Sequence, residues 1–480
     1  MAVTPIPADA HSARDAMERL RPHELLFSLF DNGSLELIRS RVQPESLGPR
    51  GAPGDGVLGG AGRINSRPVF AYAYDGAHAG GSLGVAGAYT ITRVLTLAER
   101  ANAPVVAFIE SAGARVQEGA SALGAFARIF HQIVKLRHRV PQIAVITGPS
   151  AGGAAYAPAL MDWVIMVKGS SMFLTGPSVV REAIGEQVGM QELGGHLVQG
   201  RNGVAHLVAD DEPDALRMVH ELLGCLPQRA GARVPRLSSQ QPIAEVDPRE
   251  LVPQRAREVY DMRRVVRSIA DASWFFEVWP RWARNMLTGF CRLDGRVVGV
   301  VANQPNYLGG VIDGVGSQKA TRFIEACDAY GIPLVVLVDT AGFMPGSQQE
   351  GMGIIFSGAE LIRAFVKSSV PRLTVIVRKA YGGAYITMNS KDLGAHLSFA
   401  WPDAEIGVMS ARSAALIVNR RTHDANDAMS EIYLEEQAAE YAEQHVSAHA
   451  AARRGLVDEV ILPRDTRARL CWGLSMLIDD

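Results

Sequence analysis

The chain has little cysteine and almost no lysine. Four cysteines, Cys225, Cys291, Cys327 and Cys471, form no C-x-x-C, which excludes a zinc ribbon and argues against a disulfide framework. Lysine occurs only at Lys135, Lys168, Lys319, Lys367, Lys379 and Lys391, so arginine carries nearly all the basic charge. Neither sign of charge is in excess: 48 basic and 50 acidic residues leave a net charge of −2. That argues against a general nucleic-acid surface and leaves room only for a local basic patch. No apolar run reaches the ~18 residues of a membrane span. The N-terminus also lacks the basic, apolar, small-residue order of a signal peptide. A cytoplasmic chain with neither a membrane nor a nucleic-acid partner is expected. No Gly-rich nucleotide loop of the P-loop type occurs. The twelve histidines show no metal-ligand spacing, so no metal site is expected, and His206 and His396 read as core or surface residues.

What is present is a repeat. Gly60-Ala61-Gly62-Arg63-Ile64-Asn65 returns as Gly289-Phe290-Cys291-Arg292-Leu293-Asp294, and Pro104 through Gly113 returns as Pro333 through Gly342, both 229 residues later. Pro141 through Gly152-Gly153-Ala154 returns as Pro371 through Gly382-Gly383-Ala384, 230 residues later. A nearly constant offset over so many landmarks means two copies of one domain. The expected division is residues 1–227, a breaker-rich linker over 228–254, and a second copy over 255–480.

Within the first copy, Val69–Tyr74, Val105–Glu110 and Ile143–Thr147 read as short apolar strands. Leu83–Arg100, Ala120–Leu136 and Asp214–Leu226 read as helices between or after them. Strand, helix, strand at this spacing implies β-α-β units with parallel pairing, hence an α/β fold. The second copy adds a charged, amphipathic helix predicted over Asp427–Ala452, and a last helix begins near Asp465.

Chemistry concentrates at the glycines. Gly152 and Gly153 follow the strand Ile143–Thr147 and precede a helix-compatible run, as do Gly382, Gly383 and Ala384 in the second copy. Backbone N–H groups at such a helix start can hold a developing oxyanion, as in enolate formation from a thioester. Tight strand–helix packing is the competing explanation, weakened by the duplication and by a second Gly turn in each copy, Ala112-Gly113-Ala114 and Ala341-Gly342-Phe343. Arg115 either pairs with a ligand phosphate or pairs with Glu118 and fixes the loop, and Lys379 carries the same two readings. No serine-hydrolase elbow and no convincing side-chain base are expected. That favours a reaction whose base comes from a cofactor while the protein supplies backbone electrostatics.

The motifs Gly113-Ala114-Arg115-Val116-Gln117-Glu118-Gly119, Ala151-Gly152-Gly153, Phe173-Leu174-Thr175-Gly176-Pro177, Gly342-Phe343-Met344-Pro345-Gly346 and Arg378-Lys379-Ala380-Tyr381-Gly382-Gly383-Ala384-Tyr385 belong together. Over roughly residues 20–470 the chain resembles the carboxyltransferase (β) subunits of biotin-dependent acyl-CoA carboxylases of the propionyl-CoA carboxylase type. The resemblance implies two tandem crotonase-like (ClpP/crotonase) β-β-α superhelical domains. It implies transfer of the carboxyl group of carboxybiotin, borne on a separate carrier protein, to the α-carbon of an acyl-CoA thioester. By analogy Gly152 and Gly153 hold the acyl thioester oxyanion, and Gly383 and Ala384 hold the biotin ureido oxygen. Ala112, Gly113, Ala114, Arg115, Gly342, Phe343, Tyr381 and Ile386 are then the expected substrate-binding residues. The implied assembly is a homo-hexamer of two stacked trimers, in which each active site joins the first copy of one subunit to the second copy of another. No Met-Lys-Met is present, so biotin and its carboxylation belong to another subunit, a biotin carboxylase with its carrier.

Several positions depart from the family pattern. Ala112 replaces a glycine, Ser347-Gln348-Gln349-Glu350-Gly351 replaces a run ending in tyrosine, and Phe356-Ser357 replaces two basic residues. Met409-Ser410-Ala411 replaces Met-Gly-Ala. Ile386 stands where an aspartate is common, and the small residues Gly76-Ala77-His78-Ala79 replace bulkier ones, which together suggest a differently shaped acyl pocket. Two other readings remain from the residues: a decarboxylase or transcarboxylase subunit running the same chemistry in reverse on a methylmalonyl-type thioester, or a non-catalytic subunit of a hetero-oligomer.

Overall fold

A computed structural model describes residues 20–44, 46–47, 51–243, 246–255, 258–418 and 428–478. By internal contacts the chain divides into Met1–Arg233 and Val234–Asp480. Much of the stretch 228–254 therefore belongs with the second unit: Leu237 N–H donates to the Gly295 carbonyl (3.0 Å), and Leu251 packs in that unit's core.

Each unit contains one eight-stranded sheet with the same order. In the first, Glu36–Ile38, Val57–Ile64 and Arg67–Tyr74 pair antiparallel, and Val105–Ser111, Gln142–Ala151, Trp163–Val167 and Leu207–Ala209 continue in parallel. In the second, Phe275–Val278, Met286–Leu293 and Arg296–Asn303 lead into the parallel strands Leu334–Thr340, Arg372–Tyr381, Leu397–Ala400 and Glu459–Val460. The central parallel strands are almost wholly buried and carry continuous apolar runs, as strands covered on both faces do.

The long central strand of each unit forks. Ile143–Ile146 pair with Trp163–Met166, but Pro149–Ala151 pair with a separate strand, Ser171–Phe173. In the second unit Leu373–Ile376 pair with Leu397–Ala400, and Lys379–Tyr381 pair with Glu405–Gly407. The helix Ala120–Leu136 follows its sequence pattern: Ala122, Ala125, Phe126, Ile129, Ile133 and Leu136 recur on one face and are buried.

Two expected helices differ. The helix predicted from Leu83 starts at Val85, because Ser82-Leu83 pair as strand with Gly113-Ala114. The long helix predicted over 427–452 is broken. Ala428–Tyr441 passes through a π-helical turn, Ala442–Val446, and a new helix, Ala448–Arg453, begins after Ser447. Ser447 is extended (φ −60°, ψ 150°), and its side chain accepts the Ala450 N–H at 3.1 Å, a helix N-cap that the amphipathic pattern hides. Asp427 lies outside the described residues. No helix among the described residues is long and apolar enough to cross a membrane.

Candidate active site

The forked strand carries a bulge just before the glycines. In the first unit its pairing with Val105–Ser111 runs to Ile146 opposite Ile109 and resumes at Ser150 opposite Ser111. Thr147-Gly148-Pro149 therefore oppose the single residue Glu110. In the second unit Val377-Arg378-Lys379 oppose Asp339 in the same way. Both copies thus place an acid beside the bulge, and they treat it differently.

Asp339 is fully buried, and its carboxylate is held by three donors: Tyr260 Oη at 2.9 Å, Arg378 Nε at 3.0 Å and the Lys379 N–H at 3.3 Å. Lys379 Nζ lies 4.0 Å away. Burial pushes the Asp339 carboxyl above its usual range, and Arg378 and Lys379 pull it back only in part. Arg378 Nη1 also donates to the carbonyls of Pro253, Arg255 and Glu258, and its guanidinium sits 5.0 Å from the centre of the Tyr260 ring. Burial also lowers the Lys379 ammonium, against the pull of Asp339. Of the two readings of Lys379, the geometry supports the one that fixes the loop.

In the first copy Gly148 stands where Arg378 stands in the second. A Cβ on Gly148 would lie 2.3 Å from Cδ of Glu110, and one on Gly76 would lie 2.6 Å from it. The Glu110 carboxyl fills the space of two missing side chains. The small residue at 76 therefore makes room for Glu110 and does not by itself open a larger acyl pocket.

Beyond each bulge the chain turns sharply. Gly152 has φ +59° and Gly382 has φ +56°, both in the region that favours glycine. The helices Gly153–Leu160 and Gly382–Thr387 follow directly, and the first N–H groups of a helix have no intrahelical carbonyl to bond. One expectation changes here. The Gly152 N–H donates to the Phe173 carbonyl at 3.1 Å, extending the fork pairing, so this donor is committed to the fold. The next residue, Gly153, opens the helix and is the counterpart of Gly383. Of the second pair Gly383 is exposed, whereas Ala384 is wholly buried one step behind it.

The second Gly turn of the first copy is tied down. The Ala112 N–H donates to the Gly81 carbonyl (2.9 Å), the Gly113 N–H to Ser111 Oγ (3.1 Å), and Ala114 pairs with Leu83. Arg115 is fully buried: Nη1 reaches Asp55 at 2.5 Å and Glu118 at 3.2 Å, and Nη2 reaches the Ser82 carbonyl at 3.1 Å. This corrects the phosphate reading of Arg115, since a guanidinium without exposed surface among these acceptors fixes the loop.

In the second unit Ala341, Gly342, Phe343, Tyr381, Gly382, Gly383, Val408, Met409, Ser410 and Ser413 line a cleft of about 500 Å³. Four of the expected residues, Gly342, Phe343, Tyr381 and Gly383, meet there. Ile386 is half exposed on the turn helix and Ala384 is buried; neither lines the cleft. The Tyr381 hydroxyl donates to Glu405, and burial together with that acceptor holds its phenol well above the ordinary range.

Sequence reasoning missed Asp339, Tyr260, Glu405 and Ser413. The repeat offset could have exposed the first, since it sets Asp339 against Glu110 and Arg378 against Gly148. Gly148-Pro149-Ser150-Ala151-Gly152 does have the spacing of a nucleophile elbow, contrary to expectation. Ser150, however, is buried within the strand and donates Oγ to the Ile109 carbonyl at 3.4 Å, not presented at a turn. His206 and His396 each accept a backbone N–H through Nδ1, from Val164 (3.1 Å) and Arg372 (3.2 Å).

A family model described as the carboxyl transferase domain matches residues 20–480. The carboxyltransferase subunit of propionyl-CoA carboxylase from Haloferax mediterranei is 44% identical over 429 residues, 88% of this chain and 83% of that protein. The methylmalonyl-CoA decarboxylase subunit alpha of Veillonella parvula is 40% identical over 470 residues, 96% of this chain and 91% of that protein. A crystal structure of transcarboxylase 12S, described as a hexamer assembly with hydrolysed methylmalonyl-coenzyme A bound, matches with a TM-score of 0.90 at 38% identity, covering 95% of this chain and 90% of that one. Its duplicated α/β architecture is the tandem crotonase-like fold found here. On this evidence the chain belongs to the carboxyl transferase family.

Proposed function

We propose that the chain is the carboxyltransferase subunit of a biotin-dependent acyl-CoA carboxylase, with the acyl-CoA thioester served by the first copy and biotin by the second. The observation that carries this reading is the duplicated turn with unlike surroundings. Each copy presents a glycine N–H at a helix start, Gly153 and Gly383. At the residue before the turn the first copy has Ala151, where the second has Tyr381 with its hydroxyl on Glu405. An apolar surround suits an acyl chain, and a polar one suits a urea ring.

Carboxybiotin, when bound, supplies the carboxyl group and the base for the α-proton. The protein's part is electrostatic: the Gly153 N–H faces the thioester oxygen as negative charge develops on it, and the Gly383 N–H, backed by Ala384, faces the ureido oxygen. Donors fixed before the reaction need no reorganisation during it, and each is worth about 3–4 kcal/mol of barrier in comparable oxyanion sites. The carrier and its biotin carboxylase are separate partners. The assembly is a homo-hexamer of two stacked trimers, working in the cytoplasm.

The test supplies purified protein with a carboxylated biotin carrier and a panel of acyl-CoAs, and reads carboxylated thioesters by mass spectrometry. Product from at least one acyl-CoA is expected. No product across the panel, with the carrier charged and the protein folded, refutes the reading. Adding methylmalonyl-CoA with uncharged carrier in the same assay measures the reverse direction.

A further inference from the structure

The cleft wall opposite the second turn is not what the first copy would have built. Ser171–Phe173 and Glu405–Gly407 are equivalent fork strands, and each leads after three residues into an eight-residue helix, Pro177–Ile184 or Ala411–Val418. On that correspondence Gly176 stands where the second copy has Ser410, and Val179 where it has Ser413. The two serines line the cleft together with Gly382 and Gly383. The wall lies close to the turn, since a Cβ on Gly382 would come within 3.2 Å of the Val408 carbonyl.

The hydrogen bonds of the pair leave a donor over. Ser410 Oγ and Ser413 Oγ are 2.8 Å apart, and Ser410 Oγ also accepts the Ser413 N–H at 3.3 Å. One hydroxyl proton satisfies the contact between the two oxygens, and the second is left to point elsewhere. Ser410 caps the helix, but a cap requires only one side-chain acceptor. It does not explain the second hydroxyl or the lining of the cleft by both.

We propose that Ser410 and Ser413 form a hydroxyl subsite that binds an oxygen of the cyclic urea, carboxylated or not, across the cleft from the Gly383 N–H, and so contribute to the selectivity of this half-site for biotin over an acyl thioester. This rests on the reading of the second copy as the biotin side. The hydroxyl pair supplies a donor that the counterpart positions Gly176 and Val179 cannot supply. In the first copy the exposed Val179 stands at the second of these positions.

The test uses the full chain and free biotin as probe, in the biotin-dependent loss of CO₂ from methylmalonyl-CoA or malonyl-CoA. KM is measured separately for biotin and for the thioester. Ser410→Asp keeps a good N-cap but removes the hydroxyl donor, Ser413→Ala removes the partner, and Ser410→Thr keeps both functions. Expected are a roughly tenfold rise in KM for biotin in Ser410→Asp and in Ser413→Ala, a thioester KM within about twofold of wild type, and wild-type behaviour in Ser410→Thr. Ser410→Asp and Ser413→Ala both matching wild type would mean the pair only caps the helix, and would overturn the inference while leaving the functional reading intact. A rise confined to the thioester KM would overturn it and exchange the roles of the two copies. Wild-type protein inactive with free biotin and with the biotinylated carrier would overturn the functional reading itself.

Discussion

Replacing Arg378 with methionine tests the buried cluster at the second bulge. The change keeps the length of the side chain but removes its charge and all four hydrogen bonds, to Asp339 and to the carbonyls of Pro253, Arg255 and Glu258. Asp339 keeps Tyr260 Oη at 2.9 Å and the Lys379 N–H at 3.3 Å, with Lys379 Nζ 4.0 Å away. A buried carboxylate stripped of its direct cation costs about 3–5 kcal/mol of stability. Asp339→Asn in the same background removes the stranded charge, so the double variant is expected to lose about 2–3 kcal/mol less than the two single losses combined. The pH dependence supplies a second check. Burial already holds the Asp339 carboxyl above its unfolded value, and removing Arg378 takes away the adjacent positive charge that opposes this and raises it further. A folded-state pKa above the unfolded one means that the folded state binds more protons between the two values, so stability falls as pH rises through that window. Arg378→Met should therefore recover part of its loss on acidification from neutral pH towards the unfolded carboxylate range near 4, relative to wild type. Urea unfolding followed by tryptophan fluorescence suits the measurement, because Trp274, Trp279, Trp282, Trp401 and Trp472 all lie in the second unit and only Trp163 in the first. A loss below about 1 kcal/mol, or strict additivity in the double variant, would refute the argument.

The two turns should respond unequally to alanine. A Cβ at Gly153 falls 2.8 Å from the Phe126 ring, and one at Gly383 falls 3.8 Å from Phe343, so Gly153→Ala should destabilise by about 1–3 kcal/mol and Gly383→Ala by less than ~1 kcal/mol in urea unfolding. Gly148→Ala should destabilise through its contact with Glu110, and Glu110→Ala should restore most of that loss when combined with it; equal losses with and without Glu110 would show that the cradle is not the cause. Ile386→Asp should change the ratio of kcat/KM between acetyl-CoA and propionyl-CoA, and an unchanged ratio would remove Ile386 from acyl selection. Lys319 is fully buried, with Nζ donating to the carbonyls of Trp279 (2.8 Å) and Trp282 (2.9 Å), and burial lowers it to about 7. The unfolded chain then binds more protons between about pH 7 and 10.5, so stability should rise with pH across that window by up to ~5 kcal/mol, and urea unfolding of Lys319→Met should lack this rise.

The duplication was legible because it is a property of spacing, and spacing survives divergence at single positions. The parallel strands were legible because strands covered on both faces carry continuous apolar runs, here Val105–Ile109 and Ile143–Ile146. The paired turns were legible because glycine at a strand–helix junction is a local signal. Hydrogen-bond partners were not. The Gly152 N–H looks like any free turn amide until Phe173 arrives from the fork strand, and the choice of Arg115 between a ligand and Glu118 depends on Asp55, sixty positions earlier. The Tyr260–Asp339–Arg378 cluster joins three segments that no window along the chain contains. Ser447 broke a predicted helix because its extended backbone pairs with Glu405, a contact invisible to amphipathic periodicity.

The forked strand has a consequence for the motions of the site. Many enzymes place their catalytic donors on a lid or loop that opens independently of the scaffold, so those amides exchange with solvent quickly. Here the donor turn is flanked on one side by the bulge and the neighbouring central strand, and on the other by the fork strand. Opening it in isolation would require parting two strand pairings at once, and those pairings belong to the core of the unit. The amides at the root of the turn, Ser150 to Gly152 and Ala380 to Tyr381, should therefore fall among the slowest to exchange in each unit, opening only in sub-global or global unfolding. Such a site has no separate melting step, and it stays formed as long as its sheet does.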